Sequence, residues 1–234
     1  VPDLRAPRGA LARLAETAGD ASSELRAAAL EELKRLSGEE ASSRRVEALV
    51  ALLRLGDDED EKVDVAETLQ ELARDDDESR VAIAAAGGVE VLVSLARDGN
   101  EGQKERAAGA LWNLAANDDN EVAIAAAGGI EVLVSLARDG NEAQKEDAAG
   151  ALWNLSTNDD NSVAIVAAGG IEVLIALARD GTEAQKENAA GALWNLSDND
   201  DSSVAIAAAG GIEVLVSLAR DGNEAQKDCA AGAL

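Results

Sequence analysis

The chain reads as an all-α solenoid, and three observations predict that class. Trp112, Trp153 and Trp194 stand 41 residues apart, inside the near-identical phrases AAGALWNLA, AAGALWNLS and AAGALWNLS. The pairs Gly87-Gly88, Gly128-Gly129, Gly169-Gly170 and Gly210-Gly211 step by the same 41 residues. Between these landmarks the apolar residues recur at helical spacing. A period of about 20–50 residues marks one supersecondary unit that buries its apolar face only by stacking on its neighbours. Strands would instead show period-2 alternation and frequent turns, and neither persists across the unit.

One unit, from Asn120 to Thr157, reads NEVAIAAAGGIEVLVSLARDGNEAQKEDAAGALWNLST. It breaks at the glycine pair and again at Asp139-Gly140 into three apolar-periodic pieces, hence three helices. The first, EVAIAAA, follows Asn120, whose side chain is expected to cap the first turn by accepting a hydrogen bond from an orphan amide. It ends at Gly128, where a positive φ carries no Cβ penalty. The second, IEVLVSLA, places Ile130, Leu133, Val134 and Ala137 at i, i+3, i+4 and i+7 on one face. The third opens at Asn141 with the charged turn EAQKED. It continues into AAGALWNLS, where Ala148, Ala151, Leu152 and Leu155 share a face.

A short helix, a glycine kink, a medium helix and a long helix closing on Asn-Leu resemble the armadillo repeat, the family of importin-α and β-catenin. The resemblance covers residues 79–119, 120–160 and 161–201, and a fourth, truncated copy over 202–234. Upstream it persists in degraded form. VEALVALLRLG from Val46 aligns with VEVLVSLARDG from Val89, LQEL (Leu69 to Leu72) falls where LWNL would be, and LEEL (Leu30 to Leu33) repeats the step. Residues 1–78 are thus read as two divergent, capping-like units of a single solenoid domain. Their alternative role is an acidic wall of Glu31, Glu32, Gln70 and Glu71 at one end of a binding surface. The resemblance implies a right-handed α-solenoid of three-helix armadillo repeats. The chain starts at Val1 and stops at AAGAL, where the next Trp and Asn would follow, so it is expected to be a fragment of a longer protein.

Composition narrows the function. With 21 Lys+Arg and 46 Asp+Glu the formal net charge is −25, which repels nucleic acid and attracts basic partners. Hydrophobic residues at 47% in strict period build a core, so a disordered acidic tail is excluded. The runs DDEDE (Asp57 to Glu61) and DDDE (Asp75 to Glu78) suit solvated helix starts. The sharper alternative, calcium, lacks the Gly at the sixth place of an EF-hand loop. No 18-residue apolar stretch is free of charge, so no membrane span is expected. With one cysteine, Cys229, no intramolecular disulfide can form, and an intracellular location, cytoplasmic or nuclear, is expected.

No catalytic residues are identified. Histidine is absent, which removes the commonest general base. The chain has no GxxxxGK[ST] or GxGxxG phosphate loop, and paired carboxylates such as Asp118-Asp119 recur with every repeat, as structural positions do. No metal ligand set and no cofactor are expected.

The candidate site is the row of third helices. By the armadillo resemblance, these helices line a concave groove and the Asn before Leu bonds the backbone of an extended peptide; here that is Asn113, Asn154 and Asn195. An amide with two donors and an acceptor suits the task. Alternatively each Asn satisfies local backbone. Importin-α carries W-x-x-x-N, whereas here Gly109, Gly150 and Gly191 fill that place and Trp112, Trp153 and Trp194 sit directly before the Asn. Mid-helix Gly costs about 1 kcal/mol relative to Ala, so its recurrence points to a close approach. The Trp residues either edge the groove as anchors or pack between successive third helices. Seven residues before each Asn stand Arg106, Asp147 and Asn188, with Cys229 next. Three residues after it come Ala116, Thr157 and Asp198. These columns are read as tuning specificity, with drift at exposed positions as the alternative.

The expected function is a non-enzymatic protein-protein interaction scaffold that grips an extended, basic segment of another protein. Self-association through the uncapped C-terminal repeat is a further expectation. Three rivals stay open: a nuclear-import-type cargo receptor, a consensus-like engineered array without a natural ligand, and the targeting arm of an enzyme such as a ubiquitin ligase.

Overall fold

A computed structural model describes residues 39–56 and 58–234, and all regular structure among them is helical. They fall into two compact units, one ending at Asn120 and one running from Glu121 to Leu234. The LEEL motif, with Glu31 and Glu32, lies outside the described residues.

The first unit begins with α1 (Glu39–Leu55) and α2 (Glu59–Asp75), then forms one regular repeat from α3 (Asp77–Ala85), α4 (Gly88–Asp98) and α5 (Glu101–Leu114). The VEALVALLRL segment lies on α1, a continuous 17-residue helix, because no glycine pair interrupts it. Asp58 caps α2 by accepting from the amides of Asp60 and Glu61, and Asp76 caps α3 by accepting from Ser79. Asp58 to Glu61 and Asp76 to Glu78 therefore serve as helix starts, with carboxylates at the positive end of each helix dipole, whereas Asp75 closes α2. Leu49, Leu69, Ile83, Leu92, Leu111 and Leu114 fill the core, each fully buried.

Next in the chain is α6 (Asp118–Ala126). The second unit stacks α7 (Gly129–Asp139), α8 (Glu142–Leu155), α9 (Asp159–Ala167), α10 (Gly170–Asp180), α11 (Glu183–Ser197), α12 (Asp200–Ala208), α13 (Gly211–Asp221) and α14 (Glu224–Gly232). Ile130, Leu133, Val134 and Ala137 of α7 are buried as one stripe, as are Ala148, Ala151, Leu152 and Leu155 of α8.

Capping residues set where each helix begins. The third helices open on capping boxes. Asn141 accepts from the Gln144 amide at 2.9 Å while the Gln144 side chain accepts from the Asn141 amide at 3.1 Å, and the same pair recurs at Asn100/Gln103, Thr182/Gln185 and Asn223/Gln226. First helices are capped three residues earlier than the sequence reading placed it. Asn117, not Asn120, accepts from the amide at the third helical position, Asn120 itself, at 3.2 Å; Asn158 and Asn199 do the same for their helices. The reason is electrostatic, since starting at Asp118 puts Asp118-Asp119 in the first turn. Asn120 is left inside, where its Nδ2 donates to the Leu114 and Arg80 carbonyls at 3.2 and 3.3 Å.

First and second helices meet at 82–86° across the glycine pair. Gly87, Gly128, Gly169 and Gly210 hold φ between 74° and 80°, the left-handed region that side-chain-bearing residues avoid. Gly169→Ala is therefore expected to lower stability by about 1 kcal/mol, measured by urea unfolding; an unchanged midpoint would mean that the corner can relax.

Candidate functional site

Third helices pack against one another within each unit, α2 with α5 in the first and α8, α11 and α14 in the second. Three kinds of contact join them. In the middle, the Trp153 indole lies on Gly191, and Trp194 lies on Gly232. A Cβ placed on Gly191 would come within 2.5 Å of Trp153 Cδ2 and 2.8 Å of Cζ2, distances that real Cβ atoms do not show. The close approach that recurring mid-helix glycine implies is thus made by an indole of the preceding repeat. At these two joints the Trp column packs between helices, the second of the two sequence alternatives. Trp112 and Trp153 are half-buried, and Trp194 remains 43% exposed, so part of each ring still faces outward.

At the N-terminal end of each joint is a buried glutamine. Gln103 Nε2 donates to the Glu59 carbonyl at 3.0 Å and to its carboxylate at 2.6 Å. Gln185 donates to the Glu142 carbonyl at 2.8 Å, and Gln226 to the Glu183 carbonyl at 2.9 Å. One side chain therefore completes its own capping box and bonds the preceding repeat. Sequence reasoning missed this role, although N-E-A-Q matches the capping-box spacing and a glutamine fixed in period is its signal.

Near the C-terminal end stands the asparagine. Asn113 Nδ2 donates to the Gln70 carbonyl at 2.9 Å, and Asn195 Nδ2 donates to the Trp153 carbonyl at 3.2 Å and Ser156 Oγ at 3.1 Å. Both are half-buried, and Asn154 is half-buried and engaged as well. Ten residues separate the glutamine from the asparagine, about 15 Å of helix.

The column seven residues before the asparagine also reaches the joint. Arg106 Nη2 pairs with Glu67 Oε1 at 3.3 Å, and Asn188, 5% exposed, donates from Nδ2 to the Glu146 carbonyl at 3.2 Å. Asp147 is half-buried. Cys229 is buried, and that burial, helped by Glu187 and Asp228, pushes its thiol pKa up. Ala116, Thr157 and Asp198 lie exposed, with Thr157 Oγ1 donating to Glu121 Oε1 at 2.8 Å.

Glu105, Glu146 and Glu187, each half-buried, lie seven residues before Trp112, Trp153 and Trp194 and so share a helical stripe with the indole, while the Asn after each Trp stands about 100° further round the helix. Among the described residues no group of His, Cys, Asp and Glu is arranged to hold a metal ion, and no single helix is long and apolar enough to cross a membrane.

Repeats of three helices, packed third helix on third helix within each unit, define an α-solenoid interaction scaffold. The family model of the armadillo/β-catenin-like repeat matches residues 76–116, 117–157 and 158–198, and the chain belongs to the armadillo-repeat family. Solved structures agree with that fold. An engineered protein from the Northeast Structural Genomics Consortium is 34% identical, with a TM-score of 0.84 over 96% of this chain and 94% of its own. A computationally designed armadillo repeat protein for modular peptide recognition is 25% identical, with a TM-score of 0.83 over 95% and 98%. Another designed armadillo repeat protein, solved in complex with the peptide (KR)4, shares the fold at 23% identity and a TM-score of 0.83 over 96% and 98%. Among curated proteins no sequence matches.

Gly191→Ala separates propensity from packing. Helix propensity alone would stabilise by about 1 kcal/mol, whereas a methyl driven into an indole costs about 1–3 kcal/mol. The melting temperature is expected to fall in the native background and to rise in a Trp153→Ala background. A rise in both would show that the indole does not occupy that space.

Proposed function

We propose that the chain is a non-enzymatic intracellular scaffold whose third helices grip an extended basic segment of another protein. The observation that carries this reading is the recurrence of a carboxylate, an indole and an amide on three of the third helices: Glu146, Trp153 and Asn154 on α8, Glu187, Trp194 and Asn195 on α11, with Glu105, Trp112 and Asn113 on α5 in the first unit. Carboxylates draw cationic side chains, indoles cover their methylene stems, and the amides hold backbone that has no internal partner. The net charge of −25 steers such a ligand inward. The designed armadillo protein carrying (KR)4 lends the ligand class its plausibility.

In this reading Asn113 and Asn195 do two jobs, bonding the preceding helix of their own unit through Nδ2 and leaving the rest of the carboxamide to the ligand. Arg106 and Asp147, half-buried, tune individual rungs directly. Asn188 acts from beneath by setting how two helices sit.

A fluorescent (Lys-Arg)4 peptide is the direct probe. It is expected to bind, to bind more weakly as salt rises, and to lose about tenfold in affinity, or about 1.4 kcal/mol, in the Glu146→Gln/Glu187→Gln variant, whose exchanged groups are neutral isosteres. Asn113→Ala/Asn154→Ala/Asn195→Ala should lose more, with helicity checked by circular dichroism because these amides also tie repeats together. Absence of binding at low salt would overturn the proposal and leave the consensus-like array without a ligand.

A further inference from the structure

Charge in the second unit is sorted by position. Its cations come only in pairs seven residues apart, Arg138/Lys145, Arg179/Lys186 and Arg220/Lys227, each with the arginine near the end of a second helix and the lysine near the start of the third. Two of these pairs line clefts. The first cleft encloses about 340 Å³, with Arg138 and Lys145 of one repeat set against a stripe of α10 that runs Glu172, Val173, Ala176, Leu177, Asp180. The second, of about 540 Å³, repeats the arrangement: Arg179 and Lys186 stand against Glu213, Val214, Ser217, Leu218 and Asp221 of α13. Lys145 and Lys186 are half-buried, whereas the facing carboxylates are exposed. No tryptophan or asparagine of the third helices lines either cleft. Lys186 pairs with Glu183 of its own helix at 3.6 Å, but among the described residues no side-chain hydrogen bond or ion pair engages Arg138, Lys145 or Arg179. In the first unit, by contrast, Arg54 donates to the Gly87 carbonyl at 3.2 Å.

We propose that these two clefts form a second interaction surface, and that each takes a short extended stretch of another protein in which aliphatic side chains are bracketed by an acid and a base. Charge complementarity selects that occupant. The acid answers the cations of one wall, Arg138 with Lys145 or Arg179 with Lys186. The base answers the carboxylates of the other, Glu172 with Asp180 or Glu213 with Asp221. Between them the aliphatic groups cover Val173 and Leu177, or Val214 and Leu218, and leave water. A segment of one sign only meets like charge on one wall, and an uncharged segment leaves the arginines without a partner. Length follows from the same stripe: the eight residues from Glu172 to Asp180 rise about 12 Å along the helix, which about four extended residues span. Such a stretch has no net charge, so the field of a chain at −25 neither draws it in nor repels it. It therefore differs in site and in chemistry from the basic segment on the third helices, and the two contacts fail independently.

The probe is acetyl-Glu-Val-Leu-Lys-amide, titrated into the whole isotope-labelled chain and followed by the backbone amide signals in nuclear magnetic resonance spectra. Two control peptides accompany it, the uncharged acetyl-Gln-Val-Leu-Gln-amide and the all-basic acetyl-Lys-Val-Leu-Lys-amide. The expected result is a saturable shift of the Ala176 and Ser217 signals with the mixed-charge peptide, and half-saturation at about tenfold higher concentration or more with either control. Arg138→Gln/Arg179→Gln, which changes two exposed side chains and should retain full helicity by circular dichroism, is expected to weaken the mixed-charge peptide about tenfold or more. Glu146→Gln/Glu187→Gln, which tests the third-helix reading, is expected to leave these shifts as they are. Absence of a shift at Ala176 and Ser217, a control peptide that binds as tightly, or shifts that survive Arg138→Gln/Arg179→Gln unchanged would each overturn the proposal.

Discussion

The second unit depends on one helix accepting the side chain of another across a missing Cβ. Both α11, at Gly191, and α14, at Gly232, give up about 1 kcal/mol of helix propensity. In return an indole of the preceding repeat lies against the backbone there, Trp153 on Gly191 and Trp194 on Gly232. A tryptophan removes about 150–250 Å² from water when fully covered, which at about 25 cal/mol per Å² is about 4–6 kcal/mol. Half of that, for a half-buried ring, still outweighs the cost of the glycine. The balance is favourable only when the neighbouring repeat is present, so no repeat is stable on these terms by itself.

Two amides convert that contact into a fixed register. Glutamine at the N-terminal end and asparagine near the C-terminal end each donate from a side chain to backbone of the preceding third helix. Backbone acceptors do not vary with sequence, so the same bonds recur while nearby side chains differ. Arg106 uses an ion pair with Glu67 where Asn188 uses an amide to the Glu146 carbonyl. The joints thus share backbone acceptors but not side-chain chemistry.

The repeat, its three helices and their buried faces were legible in the sequence because stacking imposes period, and period survives in residue identity. Ile130, Leu133, Val134 and Ala137 announce their burial by spacing alone. Asn120 was misleading for a local reason: two asparagines flank Asp118-Asp119, and the choice between them rests on which start places the acidic pair in the first turn. The partner of the mid-helix glycine was beyond sequence reasoning, since which neighbour fills a missing Cβ is a tertiary fact 38 residues away, at Trp153 for Gly191. Gln185 was overlooked because a polar residue in a charged turn looks solvated until its burial and its bond to Glu142 are seen.

The central claim is that the indole belongs to the joint rather than to the helix that carries it. Native-state hydrogen exchange of the chain and of Trp153→Ala addresses this helix by helix. The account predicts that amides of α8 and α11 lose protection together, by similar factors, because the ring stabilises their contact. Loss confined to α8, or unchanged protection in both helices, would contradict it.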